Sequence, residues 1–112
     1  MTHEWWPFGT QEFATAFVAF LAGAQKRMTD YYRKNYPTRP SVPVLEIDTA
    51  IPGKYIRLVK VDGLSRSAFG FVSTLNGDVL KADGWKRPAK GVRGNIFDSN
   101  HGLGRASPYS VQ

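Results

Sequence analysis

Apolar residues recur at Phe13, Phe17, Phe20, Leu21, Ala24, Met28 and Tyr31 or Tyr32, in steps of three and four. That spacing defines one face of an α-helix. Thr10 stands where an N-cap belongs, and Glu12 falls in the first turn, where the helix dipole favours a negative charge. Lys26, Arg27, Arg33 and Lys34 fall in the last turns, where cations complement the opposite pole. Tyr36-Pro37 forces an extended backbone, so the predicted helix covers residues 10–35.

Residues 36–43 contain three prolines and read as a semi-rigid connector. Beyond them the pattern changes to β. Val44 to Asp48 reads as a short strand, Ile51-Pro52-Gly53 as a turn, and Lys54 to Val61 as a second strand rich in β-branched and aromatic residues. Ser67 to Val72 and Val79 to Ala82 flank Asn76-Gly77, a strong turn signal, and predict a hairpin over 67–82. After Gly84 the glycines at 84, 91, 94, 102 and 104 leave little periodicity, so this part is expected to be ordered loop. The expectation is an α+β domain spanning residues 1–112. One long N-terminal helix packs on a three- or four-stranded antiparallel sheet, followed by a β-rich basic part over 44–112.

A chain of 112 residues with 42% hydrophobic residues can bury a core of its own. It has no cysteine, which excludes disulfides, thiolate metal sites and cysteine nucleophiles. The longest apolar run, Phe13 to Ala24, is too short to span a bilayer. The acidic flank of that run, Glu4 and Glu12, argues against a secretory signal. The formal charge is +6, and all 15 cations lie beyond residue 25. Such asymmetry points to a polyanionic partner.

The cations are densest in Trp85-Lys86-Arg87-Pro88-Ala89-Lys90-Gly91-Val92-Arg93-Gly94-Asn95. Cations on a backbone interrupted by proline and glycine form no core, so the segment is expected to face an anionic partner. Lys81, Lys86, Arg87, Lys90 and Arg93 are the candidate phosphate contacts, and Trp85 either stacks on a base or sits in the core beneath the hairpin. Arg57, Lys60 and Arg66 on neighbouring strands extend the same candidate surface. Amides around Gly91 and Gly94 are suited to an anion-binding nest. No zinc finger, helix-turn-helix or Walker-type phosphate loop is present.

Phe71-Val72, Asn76-Gly77-Asp78-Val79-Leu80-Lys81 and the stretch from Trp85 to Phe97 resemble small proteins encoded by tailed bacteriophages. In that group a Gly-Asp hairpin runs into a Trp-Lys-x-Pro-Ala-Lys…Arg-Gly-Asn segment. Gly102-Leu103-Gly104 and Pro108-Tyr109 are similar too, so the resemblance covers residues 54–109 and leaves out the helix. It implies a phage protein acting in the cytoplasm of an infected bacterium, and it implies no assigned chemistry.

Catalysis has little support. Asp98, His101 and Ser107 match no known catalytic spacing, and Asp98, Asn100 and His101 lack the regular spacing of metal ligands. The expectation is therefore a protein that is not an enzyme and needs no cofactor or metal. Trp5 and Trp6 offer a different route to function. Exposed, they would anchor a second copy of the chain or a host protein. The functional expectation is nucleic-acid binding by the basic segment. The alternative is an inhibitor that docks on a host protein or sequesters a nucleotide signal.

Overall fold

A computed structural model describes residues 10–48 and 54–112. Trp5, Trp6 and the expected turn over 51–53 lie outside the described residues. Helix α1 spans Gln11–Asn35. The Thr10 side chain accepts the Phe13 N–H at 3.2 Å, as an N-cap should. Tyr36 ends the helix with its own N–H donated back to the Tyr32 carbonyl. At 1.5 Å per residue, α1 is about 37 Å long.

Five strands follow: β1 (Val44–Asp48), β2 (Tyr55–Asp62), β3 (Ser65–Ser73), β4 (Asp78–Ala82) and β5 (Pro88–Asn95). They form one antiparallel meander in the order β1-β2-β3-β4-β5. The α+β arrangement with an antiparallel sheet is as the sequence predicts, and β3 and β4 pair on either side of Asn76-Gly77. In that turn Asn76 Oδ1 accepts the Asp78 N–H, while Gly77 takes a positive φ of 83° that a side chain would oppose.

The fifth strand corrects the expected count of three or four and the expected loop after Gly84. β5 carries Pro88, Gly91 and Gly94 with two cations, so no apolar alternation announces it. Its backbone pairs with β4 all the same, through a register broken twice. Beyond β5 the chain does run mostly through turns, with a short 3-10 helix at Leu103–Arg105 and an isolated bridge between Ala106 and Val111.

The core lies between α1 and one face of the sheet. Phe13, Phe17, Phe20, Ala24, Met28 and Tyr32 are buried against Leu45, Ile56, Leu58, Phe69, Val72, Val79 and Ile96. In register, Ile56, Val72, Val79 and Gly94 make a row beneath the helix. Val111 joins this core, its N–H donated to the Phe69 carbonyl. One edge of the sheet is tied to the helix by a glutamine. Gln25 accepts the Leu45 N–H through Oε1 at 2.7 Å and donates through Nε2 to the Pro43 carbonyl at 3.0 Å.

Candidate anion-binding end of the sheet

The face of the sheet turned away from α1 carries a second registered row: Asp48, Arg57, Phe71, Leu80 and Val92, one residue from each strand. Its centre is dry, with Phe71 fully buried and Arg57 only 5% exposed. The Arg57 guanidinium pairs with the Asp48 carboxylate and donates from Nε to the Trp85 carbonyl at 2.8 Å. The same guanidinium lies over the Trp85 ring, 4.3 Å from its centroid. A charge this deep costs several kcal/mol to desolvate unless it is paired and hydrogen-bonded. Asp48 and the Trp85 carbonyl supply the pairing.

Arg57 therefore does not extend the cationic surface as the sequence suggested. It holds the β4–β5 connection down on the sheet. Trp85 stands between the two expectations for it, with one side against Arg57 and 40% of its surface exposed. Arg66 is also drawn elsewhere, 3.3 Å from Glu46 of β1. Lys60 turns to the α1 side, where its Nζ meets the Tyr32 hydroxyl at 3.0 Å.

The remaining candidates collect at the β5 end. Lys81, Lys86, Arg87 and Lys90 are exposed, and Arg93 is half-buried. From Lys81 to Arg93 five cations stand against one acid, Asp83. That acid reaches Arg87 at 3.6 Å with both side chains mostly in water, a geometry that contributes little. Lys81 alternates with the outward Leu80, so it leaves β4 on the α1 side. The cations thus surround one end of the sheet rather than lining one face.

Several residues of the glycine-rich segment prove to be structural. Asn95 donates to the Asn76 carbonyl at 2.9 Å and to Asp78 Oδ1 at 3.0 Å, which clasps the end of β5 to the β3–β4 turn. A Cβ on Gly94 would stand 3.1 Å from the Gly102 carbonyl oxygen, so a side chain here would have to push that backbone aside. Sequence reasoning missed the Asn95 clasp, for which Asn-Gly-Asp at one end and Arg-Gly-Asn at the other were the available signal. It also missed Gln25, which in the sequence is one more polar residue before Lys26-Arg27.

Asp98, His101 and Ser107 each meet nearby backbone groups. The Asp98 carboxylate accepts the Asn95 N–H, and Ser107 Oγ donates to the Ser110 carbonyl. His101 Nδ1 lies 3.4 Å from the Ile96 carbonyl. Among the described residues no cluster of three or more His, Asp or Glu side chains is placed to hold a metal ion. Among them, too, no helix is long and apolar enough to cross a membrane.

Residues 10–106 match a family model described as "Family of unknown function (DUF7717)". The chain belongs to the DUF7717 family. The match runs from the α1 N-cap to the end of the 3-10 helix, so the family covers helix and sheet together. No curated protein and no solved structure matches the chain.

Proposed function

We propose that this is a non-enzymatic, phage-encoded binding protein whose β4–β5 end takes nucleic acid in the cytoplasm of an infected bacterium. The observation that carries this reading is the set of cations the fold leaves unused. Arg57 is neutralised inside the sheet, while Lys81, Lys86, Arg87 and Lys90 project into solvent with a single weakly placed acid among them. Exposed cations clustered on adjacent backbone segments favour a partner that presents phosphates at regular spacing. Trp85, backed by the Arg57 guanidinium, offers the outer part of its ring to a base. The resemblance over residues 54–109 supports the phage origin.

An edge strand rich in Lys and Pro has a second use, since those residues deter edge-to-edge aggregation. That use accounts for Pro88 and Lys90 on β5, but not for Lys81, Lys86 and Arg87, which lie off it. Fluorescence anisotropy with labelled single- and double-stranded oligonucleotides tests the proposal. About four phosphate contacts give a log–log salt slope near −3 to −4, and Arg87→Glu/Lys90→Glu abolishes binding. Salt-independent binding, or none at low salt, contradicts it.

A further inference from the structure

A separate cleft of about 380 Å³ opens beside the last turn of α1, lined by Arg33, Tyr36, Pro37, Arg39, Pro40 and Ser41. It belongs to the connector that leads into β1, the sheet edge opposite β5. Its size falls in the range of small-ligand pockets, about 300–1,000 Å³. We infer that this cleft binds a nucleoside monophosphate, with the phosphate at Arg33 and Ser41 and the base on Tyr36.

Charge is the first reason. Residues 33–41 contain three cations and no acid, and Arg33 is exposed with no ion pair among the described residues. Arg39 is already oriented, donating to Asp62 at 2.6 Å while its guanidinium lies over the Tyr32 ring. Arg33 is thus the arginine left to grip a phosphate, which its planar fork does with two parallel hydrogen bonds. The C-terminal pole of α1 opposes an anion with about half a charge. Arg33 and Lys34 outweigh it, the Arg39 charge being matched by Asp62, and the Tyr36 N–H already satisfies the Tyr32 carbonyl.

The second reason is the aromatic wall. Tyr36 is 48% exposed, yet its ring is backed by Tyr31 at 6.3 Å and Tyr32 at 5.6 Å between centroids. A half-exposed ring held from behind is a stacking platform that needs little further ordering. Pro37 and Pro40, also in the lining, restrict the backbone of the connector. The preference of cations for helix C-termini explains Arg33 and Lys34 alone. It does not explain a cleft that also presents a backed aromatic ring and a hydroxyl.

Isothermal titration calorimetry of the full chain with the four common ribonucleoside monophosphates tests the inference. At least one is expected to bind, and adenosine or inorganic phosphate alone to bind more weakly. Arg33→Ala and Tyr36→Ala each weaken binding about tenfold or more, since a charge-assisted pair is lost in the first and a stacking surface in the second. Both positions are exposed, so circular dichroism of these variants stays that of the parent. Arg87→Glu/Lys90→Glu leaves nucleotide binding unchanged, which separates this site from the β4–β5 end. No heat with any nucleotide at millimolar concentration overturns the inference. So does binding that survives both Arg33→Ala and Tyr36→Ala.

Discussion

Arg57 shows how much one residue's role depends on its register. Placed opposite Asp48 and Phe71, its charge is enclosed, and its Nε anchors the chain at Trp85. Arg57→Ala takes the guanidinium away from Asp48 and removes the support under Trp85. The expected cost is about 3–5 kcal/mol, read by chemical denaturation. Arg57→Lys keeps the charge but loses the planar fork and the stack, so it recovers only part of that cost. A loss below about 1 kcal/mol for Arg57→Ala would mean the pair is not a structural anchor. Gly94 is a second residue whose role comes from its neighbour. Gly94→Ala drives a methyl against the Gly102 backbone, and overpacking of this kind costs about 1–3 kcal/mol. Thermal unfolding checks it, and an unchanged midpoint would contradict the close approach. At the same scale, the Tyr31 hydroxyl bonds to that of Tyr109, which holds the Tyr31 phenol above its ordinary value of 10.0.

At the scale of elements, β5 is the strand that invites a test. It is an edge strand whose inner side pairs with β4 through two irregularities, and it carries Pro88, Lys90 and Arg93. Replacing Pro88 and Lys90 together by valine makes a flatter, more apolar edge. The variant is expected to self-associate more than the parent in sedimentation velocity, and an unchanged sedimentation profile would contradict the protective role. β5 is also where reading the sequence stopped. Helix α1 was legible because its buried residues repeat at helical spacing and Thr10 and Pro37 mark its ends. The β3–β4 hairpin was legible because Asn76-Gly77 encodes its turn. β5 has no side-chain pattern to read, since what makes it a strand is backbone hydrogen bonding to β4. Arg57 was misread for a related reason. A sequence shows an arginine on a strand but not which residue lies across from it.

For the whole molecule, the charge distribution connects fold and function. The helix and one face of the sheet make the core, and the second face closes over Arg57 and Phe71. The leftover cations then gather where β4 turns into β5 and, separately, around the cleft at the end of α1. The cationic cluster itself was legible as a run of residues 81–93. Its arrangement around one end of the sheet was not, because it depends on alternation along β4 and on the bulges in β5. The cleft was not legible, because Arg33, Tyr36 and Ser41 line one pocket only once the connector has turned. The most direct test of the central proposal is a titration of isotope-labelled protein with a short oligonucleotide, followed through backbone amide shifts. The largest changes are expected at Lys81, Lys86, Arg87, Lys90 and Arg93, together with the Trp85 indole. Saturable shifts confined to other residues, or no shifts at low salt, would contradict nucleic-acid binding at the β4–β5 end.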